Sequence, residues 1–240
     1  MIVVGHRGWS QKYPENTLAS FRGALDLGVD AIELDVHVTK DDHVVVIHDE
    51  DVERTTDGKG PVREMTLAEV KKLDAGGWFD AKFAHERIPT LEEVMDLVAG
   101  RAALAVEVKC PGETTGRLNG KLIPLIRNYA GTVIVHSFDG DYLRTFRKAC
   151  GDIDTGYLCK ASVETLALAR GLGCTAIHPA WQTVTLELNR AMREAGLKIM
   201  VWVAQTEDDC RAILETLDVD AVGADCPDLL IQVLTERGER

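Results

Sequence analysis

Glu33-Leu34-Asp35-Val36-His37-Val38-Thr39-Lys40-Asp41-Asp42-His43-Val44-Val45-Val46-Ile47-His48-Asp49 opens with two carboxylates two residues apart inside an apolar run. It turns at Lys40-Asp41-Asp42 and returns through Val44–Ile47 to His48-Asp49. Side chains alternate faces along a strand, so Glu33 and Asp35 point one way while Ile32, Leu34 and Val36 point the other. Two carboxylates on one strand face repel each other, and the arrangement is costly unless a cation sits between them or one is protonated. A metal site is the economical reading.

The same pattern recurs at Leu104-Ala105-Val106-Glu107-Val108-Lys109, where Glu107 and Lys109 share one face and Val106 and Val108 the other. Around these two segments strand and helix patterns alternate. Strands are expected at 2–5, 31–36, 103–108, 132–136, 154–158, 174–178, 198–203 and 220–224. Helical spacing starts near Leu18 and stops at Gly28, and Thr90-x-x-Glu93 is a capping box opening a further helix. Later helical patterns fall at 118–129, 140–149, 162–171, 185–195, 207–216 and 228–236. Repeated βα units make a parallel sheet, and about eight strands favour a closed (β/α)8 TIM barrel. The expected class is therefore α/β, a distorted barrel forming a single domain over 1–240. Residues 50–89 break the rhythm and read as a small insertion after the second strand, too poor in apolar residues to hold a core alone.

The 240 residues carry 27 Lys and Arg against 39 Asp and Glu, a net charge of −12. That balance argues against general nucleic-acid binding, which needs a basic footprint. A few local cations can still hold a phosphate in one pocket. No apolar run reaches the roughly 18 residues of a membrane span. The start, Met1-Ile2-Val3-Val4-Gly5-His6, has no signal-peptide character. Six cysteines without a Cys-x-x-Cys pair fit reduced thiols in a cytoplasmic protein.

In a parallel barrel the functional residues sit at the C-terminal ends of the strands. Glu33, Asp35 and Glu107 make an all-oxygen set suited to one hard cation, Mg2+ or Ca2+, with Mn2+ able to substitute. His6 and His48 fit an acid–base pair working near neutral pH. Arg7 and Lys109 would add positive charge and phosphate hydrogen bonds, and Lys109 could equally neutralise Glu107. Trp202 is expected as a wall of the pocket. His136 is read as structural, and His37, His43, His85 and His178 as packing or surface residues.

His6-Arg7-Gly8, Pro14-Glu15-Asn16-Thr17, Glu33-Leu34-Asp35, Lys40-Asp41, His48-Asp49 with Arg54-Thr55, Pro89-Thr90-Leu91, Glu107-Val108-Lys109 and Ser137-Phe138 together resemble the glycerophosphodiester phosphodiesterase family, in order and over nearly the whole chain. The short, soluble bacterial members are the nearest in kind. The resemblance implies a cation held by Glu33, Asp35 and Glu107 and acid–base roles for His6 and His48. It implies cleavage of a small glycerophosphodiester to glycerol 3-phosphate and an alcohol, begun by the glycerol 2-hydroxyl through a cyclic phosphate. Trp202-Val203-Ala204-Gln205 and Ala224-Asp225-Cys226-Pro227 depart from the family's usual Trp-Thr-Val-Asn and Thr-Asp-x-Pro. Two other readings stay open here: a lysophospholipase D-like enzyme with Trp9, Trp78 and Phe79 lining an acyl groove, and a non-catalytic barrel that binds phosphorylated ligands.

Overall fold

The computed structural model describes residues 1–109 and 114–240; Cys110 lies outside them. Its first strand, β1 (Ile2–Gly5), is followed by α1 (Leu18–Leu27), then the long β2 (Ala31–Val38) and the short β3 (Val44–Val46). After α2 (Leu67–Val70) and α3 (Leu91–Val98) the chain settles into a regular alternation. It runs β4 (Ala103–Val108), α4 (Thr115–Asn128), β5 (Val133–Ser137), α5 (Gly140–Ala149), β6 (Asp154–Lys160), α6 (Val163–Gly171) and β7 (Ala176–Ala180). It closes with α7 (Leu186–Glu194), β8 (Lys198–Ala204), α8 (Glu207–Thr216), β9 (Ala221–Ala224) and α9 (Pro227–Glu236).

The strand order is β1-β9-β8-β7-β6-β5-β4-β2-β3, and β1 also pairs with β2. Every pairing is parallel except β2–β3. Eight parallel strands therefore close into the expected barrel, with β3 an antiparallel appendage. The register sets the chemistry: Asp35 lies opposite Glu107, and Glu107 opposite His136.

Period-two alternation separates two environments. Ile32, Leu34, Val36, Leu104, Val106 and Val135 face outward into the shell of helices, where α1, α3 and α5 contribute Phe21, Leu91 and Phe146, all buried. Burying one such side chain contributes about 1.5–3 kcal/mol. The inward face is filled near the N-terminal end by Val4, Ala31, Met200 and Ala221. Toward the C-terminal end that face carries carboxylates and imidazoles instead.

Helix starts follow the cap residues. Thr66, Thr90, Ser162 and Thr206 each make a reciprocal capping box. The first helix is capped by Thr17, which accepts the Ser20 N–H at 3.3 Å, and Gly28 ends it at φ 85°. With Thr17 as the cap, the neighbouring Asn16 is freed for another task. α4 begins three residues earlier than its apolar spacing suggested, because Thr115, Gly116 and Arg117 carry no apolar signal.

Residues 50–89 hold no core alone, as their composition implied. Val52, Val62, Val70, Ala75 and Ile88 form a small cluster, but they do so around Val45 and Ile47 of the hairpin. The excursion is thus anchored on β3, which also receives the bridge from Val45 to Thr90. Among the described residues no helix is long and apolar enough to cross a membrane.

Candidate active site

Glu33 and Asp35 on β2 and Glu107 on β4 project into the barrel at its C-terminal end, as their shared strand face requires. One oxygen from each lies within 4.8 Å of the others. All three are buried, Asp35 completely. Two cations face them. Lys109 Nζ is 2.6 Å from Glu107 Oε1 and 3.3 Å from Asp35 Oδ1. Arg7 Nε lies 3.3 Å from Asp35 Oδ2, and the Arg7 backbone N–H donates to Glu33 Oε2 at 3.0 Å. Arg7 takes a left-handed backbone, φ 55°, to make that contact. Such local strain in a non-glycine residue marks a position that the surrounding structure enforces. Asn16, also at positive φ, donates its amide to Asp35 Oδ2 at 2.8 Å.

Three carboxylates against two cations leave the cluster short of positive charge. Burial, then the Asp35 and Glu107 charges, push Glu33 well above the usual carboxylate range. Burial and Asp35 raise Glu107 to about 7. Burial also works against Asp35, but Lys109 and Arg7 outweigh it and hold that carboxyl below its ordinary value. Asp35 Oδ1 is buried without a hydrogen-bond partner. A crowded, all-oxygen set in which Asp35 Oδ1 has the Lys109 charge at 3.3 Å but no hydrogen bond fits a hard dication, which would supply the missing charge.

Two imidazoles stand beside this centre, and each is held by a carboxylate. His6 Nδ1 is 2.6 Å from Asp225 Oδ1, and His48 Nδ1 is 2.6 Å from Asp49 Oδ1. With Nδ1 as the donor, Nε2 of each ring is left to face the cavity, with a lone pair when the ring is neutral and an N–H when it is protonated. His6 Nε2 lies 3.9 Å from Glu33 Oε2. Asp225 is itself fixed by Ser10 Oγ and by Gln205 Nε2, both donating at 2.9 Å. Asp49 is gripped by Arg54, whose Nε donates to Oδ2 at 2.6 Å. Arg54 also forks onto Glu15, which receives Arg7 Nη1 as well. One charged chain thus runs Arg7–Glu15–Arg54–Asp49–His48. Burial moves the His48 pKa below its usual value, with Asp35 opposing and the Arg7 and Lys109 charges assisting.

The Arg54 grip has a measurable signature. Burial works against the Asp49 carboxylate, but hydrogen bonds from Arg54 and His48 hold its pKa down to about 2. A carboxylate depressed in the fold stabilises the protein above its unfolded pKa and loses that contribution as pH falls through the folded value. Arg54→Ala is expected to flatten the stability–pH curve between about 4 and 2, read from thermal melts at stepped pH. The same variant should lower kcat by about tenfold while leaving KM within a few-fold, because it loosens His48 without touching Arg7 or Lys109 directly.

A cavity of about 140 Å³ opens above the carboxylates, walled on one side by Phe138 and Trp202. Their rings meet edge-on, 5.7 Å apart. A wider depression of about 430 Å³ adjoins it at His6, Gln11, Gln205 and Asp225. The site is therefore polar and charged on one side and aromatic on the other.

The structure brings all the sequence-predicted residues to this one end of the barrel: His6, Arg7, Glu33, Asp35, His48, Glu107, Lys109 and Trp202. The Lys109–Glu107 ion pair exists, and it lies inside the site. Trp9, Trp78 and Phe79 do not line either hollow; with Tyr13 and Phe83 they pack ring to ring in a row. Several participants escaped the sequence reading. His136, expected as structural, lines the cavity, and its Nδ1 lies 2.9 Å from that of His178, expected as packing. The signal was there in β5: with Val133, Val135 and Ser137 on one face, His136 belongs to the inward one. Burial, then the neighbouring His178, holds the His136 pKa well below the ordinary range, and burial takes His178 down to about 3. Glu15, Asp49 and Arg54 stood inside the quoted motifs, but their mutual contacts are long-range and left no local pattern.

Fold and site define a (β/α)8-barrel enzyme with a buried acidic centre flanked by two carboxylate-oriented histidines. Residues 6–229 match the glycerophosphoryl diester phosphodiesterase family. The chain is 39% identical, over 99% of its length and 99% of the relative's, to a glycerophosphodiester phosphodiesterase of Caldanaerobacter subterraneus subsp. tengcongensis. It is 31% identical to a glycerophosphodiester phosphodiesterase of Bacillus subtilis, covering 97% of this chain and 86% of that one. Among solved structures, a phosphodiesterase of Oleispira antarctica in complex with the product sn-glycerol-3-phosphate superposes with a TM-score of 0.93 at 27% identity, covering 98% of this chain and 97% of that one. A glycerophosphodiester phosphodiesterase of Agrobacterium tumefaciens gives 0.85 at 31% identity, over 97% and 99%. The chain belongs to the glycerophosphodiester phosphodiesterase family and is an enzyme of that class.

Proposed function

We propose that this enzyme hydrolyses small glycerophosphodiesters to glycerol 3-phosphate and an alcohol. In this reading Glu33, Asp35 and Glu107 hold one divalent cation, Mg2+ or Ca2+ with Mn2+ able to substitute, and His6 and His48 move the protons. The observation that carries it is the pair of imidazoles beside one acidic centre, each with Nδ1 at 2.6 Å from a carboxylate. A carboxylate at Nδ1 fixes the tautomer and leaves Nε2 to take or give a proton. The cation supplies charge stabilisation for the phosphoryl oxygens when it is bound.

The rest falls to the chain's own side chains. Arg7 and Lys109, partly exposed at the cavity edge, offer N–H donors to the non-bridging oxygens. One histidine accepts the proton of the attacking hydroxyl at Nε2 as the new P–O bond forms. The other, protonated on both ring nitrogens, donates its Nε2 proton to the departing alcohol oxygen as its P–O bond breaks and is left neutral. When the attacker is the glycerol 2-hydroxyl, the product is a cyclic phosphate. Water then opens it with the two histidines in exchanged roles, so both return to their starting state. The Trp202–Phe138 wall packs against the carbon skeleton. The Oleispira antarctica complex with sn-glycerol-3-phosphate supports the glycerol phosphate end of this substrate. The reading includes a cytoplasmic setting, where water-soluble diesters are the available substrates. The aromatic row of Trp9, Trp78 and Phe79 packs on itself outside the cavity and gives the lysolipid reading no support.

The bond cleaved tests the proposal. Glycerophosphocholine turned over with Mg2+ or Ca2+ and followed by phosphorus NMR is expected to yield glycerol 3-phosphate and choline. Choline phosphate and glycerol as products, or turnover of micellar lysophosphatidylcholine alone, would contradict it.

A further inference from the structure

Three neighbouring strands build a feature that the acid–base scheme does not use. His136 on β5 lies opposite Gly156 on β6, and Gly156 lies opposite Ala176 on β7. His178 leans across that gap. A Cβ at Gly156 would fall 2.5 Å from the His178 ring, so only glycine leaves room for it. The two imidazoles meet with Nδ1 atoms 2.9 Å apart, and Trp202 Nε1 donates to the His178 carbonyl at 2.8 Å. Both rings are about 99% buried. The far nitrogen of His136, Nε2, has no hydrogen-bond partner, and the nearest carboxylate oxygen is Glu33 Oε1 at 3.8 Å.

A contact between two Nδ1 atoms holds one hydrogen, so one ring donates and the other accepts. If His136 donated, its Nε2 lone pair would face Glu33, and a carboxylate serving as a cation ligand must be ionised. Lone pair against carboxylate is repulsive. If His178 donates, His136 carries its hydrogen on Nε2 and presents an N–H to Glu33. The second arrangement makes both contacts attractive, the 3.8 Å one as an N–H facing a carboxylate beyond hydrogen-bond length. His136 is not one of the three residues whose ligand atoms gather within 4.8 Å, so it is not itself placed to hold the ion. Its buried Nε2 is also closed to a substrate in the cavity. What remains within reach is the Glu33 carboxylate, whose other oxygen is already fixed by the Arg7 N–H.

We propose that His136, held in one tautomer by His178, is a positioning residue that orients Glu33 for its cation. The proposal rests on the acidic-centre reading above, and its test separates the two. The probe is Mn2+ alone, titrated calorimetrically into the metal-stripped full chain, with a thermal melt of each cation-free variant alongside. Wild type is expected to bind Mn2+, and His136→Phe to bind it about 10–100-fold more weakly, the usual scale for losing an outer partner of a metal ligand. His136→Gln keeps an N–H donor and should recover most of the affinity. His178→Phe should produce a smaller loss in the same direction, and the double variant no more than His136→Phe alone, because His178 acts only through its neighbour. A His136→Phe that melts lower but binds Mn2+ as tightly as wild type overturns the proposal and leaves the acidic centre standing. Wild type that binds none of Mn2+, Mg2+ and Ca2+ overturns both. If His136→Phe does not fold, unchanged affinity in His136→Gln together with unchanged affinity in His178→Phe overturns the positioning role.

Discussion

Glu33→Gln is expected to cut turnover by about a thousandfold or more and, at the same time, to raise the melting temperature of the cation-free protein. The two effects have one origin. Glu33 is buried with Asp35 and Glu107 close by, and Lys109 and Arg7 do not neutralise all three. With a cation bound, the Glu33 charge is needed; losing several kcal/mol of charge stabilisation in the transition state corresponds to about three orders of magnitude in rate. Without the cation, the same charge opposes folding. A carboxyl whose folded pKa is raised costs stability as pH climbs above its unfolded value of 4.5. Glutamine keeps the shape and the oxygen that accepts the Arg7 N–H, and it carries no charge. The stability gap between variant and wild type should therefore be absent near pH 4 and open as pH rises. Melts across that range, beside steady-state rates, check both halves. A variant that keeps its rate, or that melts lower than wild type at neutral pH, would contradict the site as described.

His48→Ala is expected to lower kcat by roughly two to four orders of magnitude, the range for removing a general acid or base. His6→Ala should fall in the same range. The losses should not add in the double variant, since residues acting as a unit fail together. The leaving group separates the two roles. An alcohol of low pKa departs without a proton, so the variant lacking the acid should regain rate on a nitrophenyl diester, while the variant lacking the base should not. Unchanged kinetics in His48→Ala would remove that residue from the mechanism despite its Asp49 contact.

Most of the barrel was legible because each strand announces itself twice, by its own apolar run and by the amphipathic helix that follows. β2 and β4 were legible in more detail, because charged residues two apart on one face, Glu33 with Asp35 and Glu107 with Lys109, do not fit ordinary packing. The metal candidates and both histidines fell out of that periodicity together with the motifs around them. What stayed hidden depends on contacts between distant segments. His6 and Asp225 are 219 residues apart, and nothing near Asp225 names its partner. His136 and His178 are 42 apart, and their meeting depends on the absent side chain of Gly156 between them. The 50–89 excursion was legible as a segment without a core of its own, but not where it docks, because its cluster is completed by Val45 and Ile47 from outside its own span.

The cation dependence of the reaction is testable in one assay. The protein is stripped of metal, supplied with glycerophosphocholine, and given EDTA, Mg2+, Ca2+ or Mn2+ in turn, with glycerol 3-phosphate release followed by a coupled enzyme. No release is expected with EDTA, and restored release with at least one of the cations. Full-rate release in EDTA, from protein shown to be free of bound metal, would contradict that dependence.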